Sequence, residues 1–224
     1  MVRKVKGQAA ITRERLLDAA EGVFREHGVA RTSLTRVAVA AGVTRGAVYW
    51  HFKDKADLFA AMCGRATLPL DAPDPATGAL VEDDPLCALR SLALTAFARL
   101  ASDPRTQAVF EVIFHKTERT GRLAQIAARQ ERGRSDCQSN IERILERAVS
   151  SGQLPADTDT MLAARLFHGS VNGVMLDWVV DKNAYDLAAQ AACLVDSMLA
   201  GLVDSPPRRA RSVRPRVRPR TGVV

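Results

Sequence analysis

Hydrophobic residues recur three and four positions apart along most of the chain, which is the period of an amphipathic helix. In the first 60 residues this pattern predicts a helix over 12–27, a second over 33–41 and a third that begins near Arg45. The predicted inward-facing positions are Leu16, Ala20, Val23, Phe24, Leu34, Val37, Ala38, Ala41, Val48 and Phe52. Three short helices with facing apolar stripes predict a small head over residues 1–55.

A larger set of helical patterns follows the head. Asp54 can cap a fourth helix, and Pro85 and Pro104 each stand where a helix favours proline, at its first position. Further patterns run over 104–118, 121–150, 157–178 and 185–202, whereas 69–78 contains three prolines and no period, which predicts a loop. The chain is therefore predicted to be all-α, with about nine helices: a three-helix head on a helical body over 56–204.

The link between the second and third helices is a short turn around Gly42. Glycine can take the left-handed conformation that ends a helix, and Thr44 can cap the next helix by accepting a backbone N–H. Two short helices joined by such a turn are typical of a helix-turn-helix, whose second helix enters the major groove of DNA. Here that helix carries Arg45, Tyr49, Trp50 and other groups able to contact DNA.

The net charge of +7 is unevenly distributed along the chain. Residues 1–55 carry 11 Lys and Arg against 5 Asp and Glu, residues 56–204 carry 14 against 20, and residues 205–224 carry 7 against none. A basic head on an acidic body is expected if the head meets phosphates. The basic residues 1–10 have no period and are predicted to form a mobile arm.

The four cysteines are far apart and form no Cys-x-x-Cys pair, which indicates a reducing cytoplasm, with the protein at the nucleoid. No uninterrupted apolar run approaches the ~20 residues of a membrane span, so no membrane partner is predicted. His115 and Glu118 are spaced for a shared metal, but without a third ligand, so neither a metal nor a cofactor is predicted. No catalytic constellation or glycine-rich phosphate loop is found, and the chain is predicted not to be an enzyme.

Residues 32–59, with the run Thr44-Arg-Gly-Ala-Val-Tyr-Trp-His-Phe52, closely resemble the DNA-binding region of TetR-family transcriptional repressors, in particular the AcrR-type branch that controls multidrug efflux pumps. Segments 84–86, 113–118 and 152–157 extend this resemblance into the body. It implies a dimeric, ligand-released repressor of an efflux operon on a palindromic DNA operator. The open alternatives are a TetR-like regulator of another pathway and a cysteine-based redox sensor.

The resemblance also implies roles for individual residues of the head. Tyr49, His51 and Lys55 would contact phosphates, and Gly46 would let the helix start press close to the groove. Arg45 can place its guanidinium on guanine O6 and N7, and is the best candidate for reading a base. The full predicted DNA-binding set is Ser33, Thr35, Arg36, Thr44, Arg45, Gly46, Tyr49, Trp50, His51 and Lys55. For Trp50, packing inside the head is an equally favoured interpretation.

For the body, the resemblance implies a homodimer and an inducer cavity. The last two helices would pair with their mates through stripes that include Met161, Ala164, Val171, Met175 and Trp178 on one helix, and Leu187, Ala191, Leu194, Met198 and Leu202 on the other. The alternative is that these stripes face the core of their own chain, and it must hold for part of each stripe. A small hydrophobic or aromatic inducer would be lined by Met62, Phe110, Ile113, Phe114, Phe167, Asn172, Met175 and Trp178. For each single residue of that set, plain core packing is the alternative.

The last 20 residues contain seven arginines, no acidic residue and repeated Arg-Pro pairs. Such a composition buries little apolar surface, so residues 205–224 are predicted to be disordered. A tail that tethers the protein to DNA and a solubilising extension are both compatible with this composition.

Overall fold

The computed structural model describes residues 2–66, 84–116 and 124–209. Within these ranges it confirms the predicted all-α architecture of nine helices, with a short 3-10 turn at Gly64–Ala66. The head contains α1 (Val2–His27), α2 (Leu34–Ala40) and α3 (Arg45–His51), and α4 (Lys55–Cys63) leads into the body. The body helices are α5 (Pro85–Ser102), α6 (Pro104–His115), α7 (Ala124–Ser150), α8 (Thr160–Val180) and α9 (Leu187–Asp204).

The helix ends follow the chemistry of the sequence. Ser33 Oγ accepts from the backbone N–H of Arg36 (3.2 Å), and Thr44 Oγ1 accepts from that of Ala47 (3.2 Å), as predicted for two N-caps. Gly42 follows α2 with φ of 63°. Arg15 of α1 donates to the carbonyl of Ala41 (2.7 Å), which places a cation at the C-terminal end of α2.

The N-terminus differs from the prediction. α1 begins at Val2, so residues 2–10 belong to a helix and not to a mobile arm. This segment contains no proline, and six of its nine residues are Lys, Arg, Gln or Ala, which favour helix. Adding residues to an existing helix also carries no nucleation cost. Because these residues have no apolar stripe, the hydrophobic pattern did not predict a helix there.

One continuous core connects head and body. Phe24, Val48 and Phe52 of the head pack in the same cluster as Phe97 and Phe167 of the body. The buried residues Leu58, Phe59 and Met62 of α4 bridge the two parts. The orientation of α3 is therefore fixed to the body by packing as well as by chain connectivity.

The chain stays ordered beyond α9, contrary to the predicted disorder from residue 205. We call residues 205–209 the C-terminal strap. The carbonyl of Pro207 accepts from the N–H of Asp159 (2.8 Å), and the N–H of Arg209 donates to the carbonyl of Asp157 (2.9 Å). Arg208 is ion-paired with Asp157, and Pro206 is buried. The rest of the predicted tail, residues 210–224, lies outside the described residues.

Among the described residues, α9 is the one helix long and apolar enough to cross a membrane by length and composition. Its 18 residues have a mean hydropathy of 1.4, and 28% of them are buried. Arg90 of α5 pairs with Asp196 near the middle of α9, with 2.6 Å between Nε and Oδ1. A charged pair at that position, with α9 packed on α5, is what a surface helix with one exposed side presents.

Candidate nucleic-acid interface and ligand-binding region

The recognition surface is the outer side of α3. Val48 and Phe52 are buried beneath it, while Arg45, Gly46, Tyr49 and Trp50 are exposed. Trp50 is 72% exposed and meets the ring of His51 edge-on at 4.5 Å between centroids. Its ring therefore lies outside the head, and packing inside the head does not explain it.

Arg45 is held by its neighbour one turn away. Its guanidinium lies 5.4 Å from the centroid of the Tyr49 ring, and its NH2 group donates to the Tyr49 hydroxyl at 3.4 Å. A cation over an aromatic face is attracted to the ring, which limits the rotamers of both side chains. The pair presents a forked donor and a phenol side by side at the start of the recognition helix.

The remaining predicted contacts are distributed over both helices. Thr35 and Arg36 are exposed on α2, whereas the hydroxyls of Ser33 and Thr44 are engaged in capping. Val39, 76% exposed on α2, is a neighbouring surface residue outside the predicted DNA-binding set. Only its position outside the apolar stripe of 34, 37, 38 and 41 distinguishes it from a core residue.

His51 lies half-buried at the end of α3. Burial lowers its pKa, and the nearby charge of Arg13 lowers it further. Arg13 is itself fixed over the ring of Phe52, 5.4 Å from the centroid. The imidazole is therefore predominantly neutral near pH 7 in the free protein.

Lys55 has three backbone partners within the head. Its Nζ donates to the backbone carbonyls of Val29 (2.7 Å), Ala30 (3.0 Å) and Thr32 (3.0 Å). An ammonium group has three hydrogens, and these three acceptors match them. These bonds hold the ammonium group of the partly exposed Lys55 against the turn between α1 and α2 in the free protein.

The predicted ligand-binding residues lie on three helices that pack together. Met62 of α4, Phe110 of α6, and Phe167, Met175 and Trp178 of α8 are buried, and Ile113 and Phe114 are partly buried. Phe110 and Phe114 are adjacent, with ring centroids 5.4 Å apart. The segments 67–83 and 117–123 next to these helices lie outside the described residues, so the predicted inducer cavity stays a proposal.

Two residues of this set have structural partners of their own. Asn172 Nδ2 lies 3.0 Å from His168 Nε2 and donates to the His168 carbonyl at 2.9 Å. Trp178 Nε1 donates to the carbonyl of Tyr185 (3.2 Å), which joins α8 to the turn before α9. Both contacts stabilise the local fold. Gly169 and Gly173, on either side of Asn172 in the sequence, are exposed.

Most of the residues predicted to pair two chains face the core of their own chain instead, which was the alternative for these stripes. Ala164, Val171, Met175 and Trp178 are buried within the chain, as are Leu187, Ala191 and Leu202 of α9, whereas Met161 is half-exposed, and Leu194 and Met198 are partly buried. A second stripe, spaced three and four residues apart, is exposed instead, and we call it the outer stripe. It consists of Leu162, Leu166, Gly169, Gly173, Leu176 and Val180.

An open depression of about 560 Å³ continues the outer stripe onto α9. It is lined by Gly173, Val174, Asp177, Tyr185, Gln190 and Leu194. None of the predicted inducer-binding residues belongs to it.

Among the described residues, no group of three His, Cys, Asp or Glu side chains is placed to hold a metal ion. Glu118, one of the two spaced candidates, lies outside the described residues.

Two family models match the chain. Residues 16–62 match the model described as bacterial regulatory proteins of the tetR family, and residues 84–203 match that of the C-terminal region of MAATS-type transcriptional repressors. The first match contains the helix-turn-helix, and the second covers α5–α9.

Similar proteins extend over nearly the whole chain. The HTH-type transcriptional regulator AcrR of Shigella flexneri is 35% identical over 199 residues, which is 89% of this chain and 93% of that protein. The crystal structure of NalD, the secondary repressor of the MexAB-OprM multidrug efflux pump in Pseudomonas aeruginosa, is 32% identical with a TM-score of 0.80, covering 88% of this chain and 99% of NalD. The complex of SmeT from Stenotrophomonas maltophilia with triclosan is 36% identical with a TM-score of 0.75, covering 85% and 91%.

Proposed function

Since the chain belongs to the TetR family of transcriptional regulators, we propose that it is a dimeric repressor of a multidrug efflux operon. It binds a palindromic operator in double-stranded DNA and releases it when a small hydrophobic or aromatic inducer binds. Its place of action is the cytoplasmic nucleoid. The similarity to NalD and SmeT, both described as repressors of multidrug efflux pumps, supports the efflux assignment.

The outward surface of α3 is the observation that carries the proposal. Arg45 and Tyr49 form a restrained pair at the start of the helix, where a guanidinium can read a guanine edge and a phenol can donate to a phosphate. Gly46 carries no side chain beside them, which permits close approach to the groove. The DNA-binding set proposed from the sequence is retained, including Lys55, whose ammonium group bonds the carbonyls of residues 29, 30 and 32 in the free protein.

A homodimer follows from the length of the recognition helix. α3 has seven residues and can reach only a few base pairs, so useful specificity requires a second copy about one DNA turn away. The outer stripe of α8, with the depression beside α9, supplies an apolar surface for pairing. Gly169 and Gly173 lie in the middle of this stripe and permit close approach of a second helix.

The inducer would act by favouring one arrangement of the body. A ligand that binds better to the conformation in which the two heads are wrongly spaced for DNA weakens DNA binding. By linkage, DNA weakens ligand binding by the same factor. The proposed cavity lies among α4, α6 and α8, lined by the residues predicted from the sequence. Triclosan is a suitable first probe because SmeT has been crystallised with it.

The test is a mobility-shift titration with a palindromic duplex from upstream of the protein's own gene. Arg45→Ala should weaken specific binding by about 1–3 kcal/mol, which is about 5- to 150-fold, while binding to unrelated duplex changes little. Arg132→Ala, which removes one exposed arginine from α7, is the matched control. The absence of any specific, salt-sensitive complex between the wild-type protein and such a palindrome would contradict the proposal.

A further inference from the structure

Arg65 is a buried cation at the boundary between head and body. It lies in the 3-10 turn Gly64–Ala66 that follows α4, and its side chain is 9% exposed. One of its nitrogens, Nη2, pairs with Asp18 of α1 and lies 3.6 Å from Glu14 of the same helix. The other two, Nε and Nη1, are buried and have no hydrogen-bond acceptor among the described residues. The side chain therefore reaches from the end of α4 back to the head with one nitrogen engaged.

This arrangement is unfavourable for folding. A buried charge is costly unless it is both paired and fully hydrogen-bonded. Its two partners are themselves exposed, 55% for the side chain of Glu14 and 58% for that of Asp18, so these ion pairs contribute little. An apolar side chain of similar volume often replaces a buried ion pair without loss of stability. Stability therefore gives no reason for an arginine at position 65.

Asp18 is held by the body from two sides. Besides Arg65, the guanidinium of Arg105 at the start of α6 lies 3.5 Å from the same carboxylate. Glu21, one turn further along α1, belongs to this cluster: burial raises the pKa of its carboxyl, and the charges of Arg65 and Arg105 act against that rise. Charged side chains thus join α1 of the head to the end of α4 and to the start of α6.

The position of Arg65 also connects it with the proposed inducer region. Met62, three residues earlier on α4, is fully buried and belongs to the set predicted to line the inducer cavity. α1 packs on α2, and α2 packs on α3, so the angle between α1 and the end of α4 affects where the recognition surface points. A displacement of the end of α4 would act on α1 through the pair of Arg65 and Asp18.

We propose that Arg65 is a positioning residue: its ion pair with Asp18 fixes the angle of the head relative to the end of α4, and so sets the spacing of the two recognition surfaces in the dimer. This inference rests on the proposed function, and it gives that function a residue outside both the DNA contacts and the inducer cavity. A buried ion pair can specify one arrangement while lowering stability, and residues that break a folding rule are expected at functional positions.

Substitutions of Arg65 in the full chain separate this role from a structural one. Arg65→Met should unfold at a urea concentration no lower than wild type, because the buried N–H groups of the guanidinium are removed. It should bind the operator about tenfold more weakly with an unchanged slope of log K against log[salt], since no phosphate contact is lost. Arg65→Lys should restore most of the binding, because the pair with Asp18 uses one nitrogen. Arg132→Met, which removes an exposed arginine of α7, is the control for loss of charge.

A double-mutant cycle tests the partner. Asp18→Asn should weaken operator binding at least as much as Arg65→Met, and adding Arg65→Met to it should bring no further loss. The inference is overturned if the two losses multiply, or if Arg65→Met binds as wild type does or has a lower urea midpoint. It is also overturned if Arg65→Lys is as impaired as Arg65→Met.

Amide hydrogen exchange in the free protein makes the test independent of the operator. The N–H of Val29 donates to the carbonyl of Lys116, directly after α6 (3.0 Å), so this bond joins head and body and reports their relative motion. The Val29 amide should exchange at least threefold faster in Arg65→Met than in wild type or Arg132→Met. An unchanged rate overturns the inference even if no operator is found, whereas faster exchange without any operator binding would count only against the proposed function.

Discussion

His168 is a residue whose ionisation is tied to the fold. Burial on α8 lowers its pKa, and the charge of Arg134 on α7 lowers it further. Its Nε2 lies 3.0 Å from the side-chain amide of Asn172, which the neutral imidazole can accept and the imidazolium cannot. The folded state therefore binds a proton at this site less readily than the unfolded chain does.

The expected consequence is an acid-sensitive contribution to stability. Because the folded pKa is below the unfolded value of about 6.5, this contribution is fully present above pH 6.5 and is lost as the pH falls through the folded pKa. His168→Gln should therefore show a smaller loss in the free energy of unfolding than wild type between pH 7.5 and 5.5, measured by urea denaturation. His115→Gln, which replaces an exposed histidine, is the matched control, and identical pH profiles for the two variants would contradict this account.

At the scale of elements, the two glycines of the helix-turn-helix differ in what they do. Gly42 has φ of 63°, and a Cβ there would lie 3.3 Å from the Arg15 guanidinium that binds the end of α2. Gly46 lies inside α3 with no positive φ, and the nearest atom to a Cβ there is at 3.8 Å. The first glycine serves the fold, whereas the second is proposed to serve the approach to DNA.

We therefore expect opposite results from two alanine substitutions. Gly42→Ala should lower the free energy of unfolding by about 1–2 kcal/mol, because a non-glycine residue is strained at that φ. Gly46→Ala should raise it by up to about 1 kcal/mol, since alanine favours a helix interior, while weakening operator binding. Thermal unfolding and mobility shifts measure the two effects. A Gly46→Ala protein that binds the operator as wild type does would remove the proposed role of this glycine.

The C-terminal strap is an element that the sequence pattern did not predict. It attaches at the loop between α7 and α8, which also contacts the start of α5 through the bond between Gln153 and Asp84 (2.7 Å). Two contacts mark the other end of the body. Arg105 at the start of α6 contacts Asp18 of α1, and Lys182 after α8 contacts Gln107 of α6. α8 is 21 residues long, about 31 Å at 1.5 Å per residue, so the strap lies far from those contacts.

Two truncations separate the strap from the tail. A chain ending at residue 204 should lose about 2 kcal/mol of stability, because two backbone hydrogen bonds at about 1 kcal/mol each are removed. A chain ending at residue 209 keeps them and should unfold as wild type does. The chain ending at residue 209 also tests the role of the tail. If it binds unrelated DNA more weakly and with less salt dependence than the full chain, the tail tethers the protein to DNA. If only its solubility is lower, the tail is a solubilising extension. Equal stability of the two truncated chains would contradict the role of the strap.

At the scale of the whole molecule, the outer stripe of α8 is the longest run of exposed large hydrophobic residues outside the head among the residues that the structure describes. Leu166 and Val180 within it are 52% and 67% exposed, and the neighbouring depression continues it onto α9. Contiguous exposed apolar surface of this kind marks an interaction site. A second copy of the chain is the occupant that the proposed operator symmetry requires.

Leu166→Glu should convert the proposed dimer into a monomer, because each carboxylate would be desolvated against an apolar surface. Sedimentation equilibrium measures the mass, and the helical circular dichroism should stay unchanged. Ile11→Glu, which places the same charge at an exposed apolar position of α1, should stay dimeric. Operator binding should fall with the loss of the dimer. A Leu166→Glu protein that keeps the dimer mass would place the interface elsewhere.

The sequence by itself determined the helices and the outward face of α3. The signals for the helices act within a few residues, so the sequence shows them directly. They are the hydrophobic periodicity, the caps at Ser33, Thr44 and Asp54, and the glycines with positive φ at 28, 42 and 152. Val48 and Phe52, four residues apart, required Arg45 and Tyr49 to face outward. These local rules also explain the error at the start of α1, because residues 2–10 have no apolar stripe and gave no helical signal.

Only the tertiary structure decided which apolar stripe of α8 faces its own core and which cations are free. α8 is apolar on nearly all sides, so its sequence fits either orientation, and packing on α6 and α7 selected the one that leaves Leu162 and Leu166 outside. Lys55 resembles every other cation of the head until the fold brings the carbonyls of residues 29, 30 and 32 to its ammonium group. Both outcomes depend on contacts between residues far apart in the chain, and no local pattern encodes those.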